Sequence, residues 1–199
     1  MQILKDRIVK DGQVIGTEIV KVDSFLNHQI DVTLMSEIGK EFATRFAGLP
    51  INKILTVESS GIALACATAI HMGNLPVVFA KKAVPSTMTE GCYSTETISF
   101  TKNTVYSMIV SKKYLSKDDN LLIIDDFLAH GGAALGLEDL ARQAGATVYG
   151  IGAAVEKEFQ GGSDKLRLKG YRVESLAVIS SIKDGYIIFK NNKEGERLR

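Results

Sequence analysis

Apolar residues recur along the chain in two periods. Val32, Met35, Ile38, Phe42 and Phe46 follow one another at spacings of three, three, four and four, which is one face of a helix. Asp31 stands where an N-cap belongs, and Gly48 and Pro50 close the run. Upstream, Ile3, Ile8 and Val9 among Lys5, Asp6 and Lys10 predict a short amphipathic helix ended by Gly12. A strand-like GTEIVKV and an irregular DSFLNHQ follow. From Lys53 onward, short apolar runs alternate with helical ones. KILTV predicts a strand, Gly61 to Met72 a helix, and PVVFA a strand; LLII predicts another strand, Ala133 to Ala144 a helix closed by Gly145, and TVYGIGAAVEK a further strand. Alternation of this kind predicts an α/β fold with a central parallel sheet flanked by helices. Lys81 to Gly91 has no clear period and reads as a mobile loop. Tyr93 to Phe100 and Thr104 to Ser111 predict an antiparallel hairpin insert. The closing KNNKEGERLR reads as a solvated tail. No repeat or linker divides the chain, so residues 1–199 are expected to form one domain with a small N-terminal appendage.

Composition narrows the class of function. The 199 residues are 45% hydrophobic and 24% charged, ordinary for a globular protein and wrong for disorder. A net charge of +1 argues against nucleic-acid binding through a basic face. Cys66 and Cys92 give neither a disulfide framework nor a metal-binding pair, which fits a reducing, cytoplasmic setting. The longest apolar stretch, Ile62 to Met72, is too short to span a bilayer, so no membrane partner is expected.

The richest segment is LLIIDDFLAHGGAALG, Leu121 to Gly136. A buried strand ends in Asp125 and Asp126. A short loop leads to Gly131 and Gly132 and into a helix. Ligands of open α/β sheets bind beyond the carboxyl ends of the strands, and a glycine turn lets backbone N–H groups reach an anion at a helix N-terminus. Two acids beside a phosphate cradle make sense when the ligand also carries hydroxyls or a divalent metal, as a sugar phosphate does. Leu137 and Glu138 stand where a Walker A loop needs lysine and a hydroxyl residue, and Gly150-Ile151-Gly152 lacks the third glycine of a dinucleotide fingerprint.

LLIIDDFLAHGG resembles the 5-phosphoribosyl-1-pyrophosphate (PRPP) loop of the type I purine phosphoribosyltransferases. KVDSFLNHQID, VESSGIA, VVFAKK, ISFTK, IGAAVEKEF and GYRVESLA follow the pattern of that family's xanthine branch in order, over nearly the whole chain. The resemblance implies transfer of the 5-phosphoribosyl group from PRPP to xanthine, with Mg²⁺ accompanying PRPP, and a homodimer with an N-terminal hood of about 35 residues. Carried over by position, Asp125 and Asp126 serve the ribose hydroxyls and the Mg²⁺ shell. Ala129, His130, Gly131, Gly132 and Ala133 cradle the 5-phosphate. Ser59, Ser60 and Gly61 with Lys81 and Lys82 face the pyrophosphate, Lys82 counting among the catalytic groups, and such a base can reach a neighbouring subunit's site. Val20, Asn27, Lys157 and Phe159 take the base: Lys157 reaches the 6-oxo group, Asn27 offers amide donors, Val20 covers the ring and Phe159 stacks. The stretch from Lys81 to Phe100 corresponds to a flexible segment that closes to shed water. His130 and Ala133 depart from the family pattern, which has Thr or Asn at the first place and often Thr at the second. Ala129 stands where the hypoxanthine-guanine enzymes carry an Asp proposed as general base. The other readings are a hypoxanthine-guanine or adenine phosphoribosyltransferase and a PRPP-sensing regulator of purine genes. The acid pair and the lack of an extra N-terminal domain disfavour the regulator.

Overall fold

In chain order the elements are α1 (Gln2–Asp11), β1 (Gln13–Ile15), β2 (Ile19–Lys21), a π-helical turn (Asp23–Asn27), α2 (Val32–Arg45), β3 (Lys53–Val57), α3 (Ser60–His71) and β4 (Val77–Ala83). The hairpin β5 (Cys92–Ser99) and β6 (Thr104–Ser111) comes next, then β7 (Asn120–Leu128), α4 (Gly132–Ala144), β8 (Thr147–Lys157), a 3₁₀ turn (Glu158–Gln160), α5 (Gly162–Leu168), β9 (Val173–Lys183), β10 (Tyr186–Phe189) and β11 (Glu196–Arg197). The structure, a computed structural model, describes residues 1–83, 91–99, 104–183, 185–190 and 196–197.

β7 lies at the centre of a nine-stranded sheet ordered β11-β10-β9-β8-β7-β3-β4-β6-β5. Its residues Leu121 to Ile124 are fully buried, as expected for a strand covered on both faces. β4, β3, β7, β8 and β9 run parallel, and antiparallel strands extend both sides. One face packs on α2 and α3 through Ile38, Phe42, Phe46 and Leu64. The other packs on α4 through Leu137, Leu140 and Ala141. Asp31 caps α2 as expected, its Oδ1 accepting from Leu34 N at 3.1 Å. That backbone bond, with Arg7 beside it, holds the Asp31 carboxyl below its ordinary range. Gly150 and Gly152 have a packing reason, not a nucleotide one. A Cβ at Gly152 would stand 2.8 Å from the Phe42 ring, and one at Gly150 would stand 2.8 Å from Phe46 Cδ1. β8 therefore lies close under α2 only because these positions lack side chains.

Several elements differ from the sequence pattern. The strand-like GTEIVKV contributes to a separate two-stranded hairpin, β1 with β2. The irregular DSFLNHQ contains the π-helical turn, which buries Phe25 and Leu26. The C-terminal stretch, read as a solvated tail, contributes β11: Ile187 pairs with Glu196 and Tyr186 with Arg197. β5 and β6 form the predicted hairpin, with Ser99 opposite Thr104. The loop read between Lys81 and Gly91 and the segment ending at Phe100 fall, at 84–90 and at 100, outside the described residues. Among the described residues, no helix is long and apolar enough to cross a membrane.

Candidate active site

The carboxyl ends of β3 and β7 open into a cavity of about 230 Å³. Asp125 and Asp126 line it with Glu58, Ser60, Lys82, Tyr106 and the segment Phe127–Ala134. Asp125 is 7% exposed and accepts a hydrogen bond from Asp126 N at 2.9 Å. Burial, then the adjacent Asp126 charge, raises its pKa well above the ordinary carboxylate range, and Lys82 opposes the shift. Burial of this kind disfavours the charged form, and a nearby cation favours it.

The phosphate loop is built of backbone. Gly131 sits at φ +86° before α4, a left-handed conformation that costs glycine nothing. Leu135 N donates to Gly131 O at 2.9 Å, so α4 begins at the turn. The N–H groups of its first residues have no intrahelical acceptor and are open to an anion. Alanines at 133 and 134 leave them uncovered by any long side chain. Ala129, His130, Gly131, Gly132 and Ala133 all line the cavity.

At the β3 end, Glu58 and Ser60 reach the cavity, Ser59 is exposed and Gly61 is buried. Glu58 Oε1 accepts from Lys82 N at 2.6 Å, tying β3 to β4. The two lysines part company. Successive strand residues face opposite sides, so Lys82 lines this cavity while Lys81 lines a separate apolar depression with Val78, Phe79, Cys92 and Tyr114. Lys82 Nζ lies 5.5 Å from the centroid of the Tyr106 ring. Burial, then the Asp125 charge, raises the Tyr106 pKa.

The residues assigned to the base come from three distant segments. Val20 is buried on β2 and Asn27 ends the π-helical turn. Lys157, the last residue of β8, donates from Nζ to Glu18 O at 2.7 Å and lies 5.7 Å from the Phe127 ring centroid. Burial lowers its pKa, and Glu18 opposes the shift. Asn27 Oδ1 is buried without a hydrogen-bond partner among the described residues. None of Val20, Asn27, Lys157 and Phe159 lines the 230 Å³ cavity, and Phe159 is 40% exposed on the following 3₁₀ turn. Sequence reasoning missed Tyr106 and Phe127. Phe127 was within reach, since it follows the acids directly; a tyrosine in a hairpin carries no signal.

An acid pair at the centre of a parallel sheet, followed by a glycine turn into a helix, is the arrangement of the type I phosphoribosyltransferases. The adenine phosphoribosyltransferase of Giardia lamblia superposes with a TM-score of 0.70 at 22% identity, over 88% of this chain and 96% of that one, which supports the fold. The sequence carries the match further. The xanthine phosphoribosyltransferase of Clostridium novyi (strain NT) is 55% identical over 191 residues, covering 96% of this chain and all of that one. That of Clostridium tetani (strain Massachusetts / E88) is 53% identical over 190 residues, with the same coverage. No family model matches the chain. The chain belongs to the xanthine phosphoribosyltransferase family.

Proposed function

We propose that the protein transfers the 5-phosphoribosyl group of PRPP to xanthine, giving xanthosine 5'-monophosphate and pyrophosphate, as a purine-salvage step. The observation that carries this is one cavity holding a buried acid pair, a lysine and a backbone anion cradle. In the transfer, the bond from the anomeric carbon to the pyrophosphate oxygen breaks and its electrons leave with pyrophosphate. A purine nitrogen forms the new bond and gives up its proton to solvent. The chemistry asks the protein for placement, charge stabilisation and exclusion of water, and for no covalent partner.

The cradle of Ala129 to Ala133 holds the 5-phosphate. Asp125 and Asp126 take the ribose hydroxyls. Lys82 and the segment Ser59–Gly61 face the pyrophosphate; Lys81, turned away from this cavity, is assigned to the pyrophosphate of a second subunit's site in a homodimer. Two carboxylates with substrate oxygens suit Mg²⁺, which rarely has an all-protein cage. Among the described residues, no group of three or more potential ligands competes for it. Bound there, Mg²⁺ supplies positive charge against the departing pyrophosphate. Burial disfavours the ionised form of Asp125, and a cation bound there would offset that cost.

At the base end, Lys157 supplies a donor to the 6-oxo group and Phe127 and Val20 supply apolar cover. Asn27 has hydrogen-bonding capacity the protein leaves unmet, as a base edge with both C=O and N–H groups requires. Residues 1–35 act as the hood, and Phe159 stacks at the margin. We place the enzyme in the cytoplasm. The test is to incubate the protein with PRPP, Mg²⁺ and xanthine, guanine, hypoxanthine or adenine in turn. Nucleotide should form fastest from xanthine; adenine as the best substrate, or no product from any base, refutes the proposal.

A further inference from the structure

β8 ends in Glu156 and Lys157, and the two side chains go opposite ways. Lys157 reaches the hood through Glu18 O. Glu156 turns to the other side, where it is 1% exposed and accepts a hydrogen bond from Ser163 Oγ, also 1% exposed, in the first turn of α5. Its second oxygen, Oε2, is buried and has no hydrogen-bond partner among the described residues. An acid buried on so little support needs a reason to be there.

The position of α5 supplies one, because its N-terminal turn is the backing of the phosphate loop. Gly162 N donates to Ala129 O at 3.0 Å, and Lys165 Nζ donates to His130 O at 3.3 Å. A Cβ on Gly162 would strike the Ala129 carbonyl oxygen and stand 2.6 Å from Gly131 N. Loop and helix therefore meet backbone to backbone, and a small shift of α5 moves the cradle.

We propose that the Glu156–Ser163 hydrogen bond is a positioning device that clamps α5 to β8 and so holds the Ala129–Ala133 cradle in shape for the 5-phosphate. Neither residue touches PRPP; both act through Gly162. One strand end thus serves both substrates, Lys157 toward the base and Glu156 toward the phosphate. The inference rests on the assignment of PRPP to this cavity.

The test measures KM for PRPP and for xanthine, kcat, and inhibition by ribose 5-phosphate and by pyrophosphate. Ser163→Ala should raise the PRPP KM and the ribose 5-phosphate inhibition constant together, by about tenfold, as loss of a buried hydrogen bond allows. The xanthine KM and the pyrophosphate constant should stay within about twofold. Glu156→Gln keeps an acceptor for Ser163 and should restore near-wild-type constants, whereas Glu156→Ala should behave like Ser163→Ala. Thermal denaturation checks that each variant is folded; if Ser163→Ala is not, Ser163→Cys, a weaker donor of similar shape, is judged by the same constants. Unchanged PRPP constants in a folded variant, a uniform rise in all four, or a fall in kcat alone overturns the clamp. A wild type that forms no nucleotide overturns the PRPP assignment itself, and the clamp with it.

Discussion

The two ends of the proposed active site are built differently. The phosphate end is one continuous segment, Asp125 to Ala134, and every residue of it lines the cavity. Its chemistry is mostly backbone: a left-handed glycine, the free N–H groups of a helix start, and two acids fixed at a strand end. The proposed base end draws on β2, the π-helical turn and the end of β8, where the bond from Lys157 to Glu18 O spans 139 residues. A site made by local geometry depends on a few backbone conformations. One made by distant side chains depends on the whole fold bringing them together.

The largest expected effect falls on the acids. Replacing Asp125 and Asp126 together by Asn should lower turnover by at least about 100-fold, or roughly 2.7 kcal/mol of transition-state stabilisation. Near-normal turnover in the folded double variant removes the acids from the mechanism. Asp125 alone makes a second, opposite prediction for stability. Its folded-state pKa is raised, against about 3.9 when unfolded. The stability it contributes is therefore complete below the unfolded value and lost as pH rises through the folded one. At neutral pH the ionised group is a liability, so Asp125→Asn should raise Tm, and the gain should shrink in acid. Denaturation scans across pH check this; a lower Tm at neutral pH shows that the carboxylate is better paired than its burial implies.

The same contrast explains what the sequence showed. Leu121 to Gly136 was legible because strand, acids, turn and helix are adjacent, and each follows from local rules. The base end had no local signature: Asn27 lies in a stretch with no helical or strand period, and Lys157 is one lysine among many. Only the resemblance singled them out. The doublet Lys81-Lys82 looked like a unit, yet the two-residue period of β4 sends its members to opposite faces. β9 and β10 escaped notice because burial along β9 does not alternate, Ser175 and Ser180 falling among Leu176, Ala177 and Ile179. Glu156 was hidden for a related reason. It lies in the predicted strand TVYGIGAAVEK, but nothing in the sequence shows that Ser163 waits for it.

Lys157→Ala tests the base end at its strongest contact. A charge-assisted hydrogen bond contributes about 1.5–3 kcal/mol, so kcat/KM on xanthine should fall by about 10- to 100-fold. Ribose 5-phosphate should inhibit the variant as it does the wild type, because the phosphate end does not use this residue. Equal loss at both ends shows that Lys157 acts by holding the hood through Glu18. The counterpart at the phosphate end is Gly131→Ala. A Cβ there would be forced to φ +86° and would stand 3.2 Å from Gly162 Cα. Left-handed backbone costs a non-glycine residue about 1–2 kcal/mol, so the PRPP KM should rise by roughly tenfold with little change for xanthine. A Gly131→Ala enzyme with wild-type PRPP kinetics means the turn relaxes without loss of the cradle.

Asn27 carries the smallest effect and the sharpest question. Xanthine and hypoxanthine share the 6-oxo group, so Lys157, in its proposed place, should not distinguish them. They differ at position two, where only xanthine has an oxygen. Asn27 stands at the end of the π-helical turn, and its Oδ1 is buried without a partner among the described residues. An amide placed so offers both a donor and an acceptor, and its donor is what the 2-oxo group needs. A neutral hydrogen bond contributes about 0.5–1.5 kcal/mol. Asn27→Ala should therefore narrow the preference for xanthine over hypoxanthine by about three- to tenfold, chiefly through a weaker reaction with xanthine. Asn27→Asp replaces the amide donor by a carboxylate that repels the 2-oxo group, and should narrow the ratio further. Competition between the two bases in one reaction gives the ratio directly. If Asn27→Ala slows both bases equally, the amide secures the hood and the reading of position two belongs to another residue.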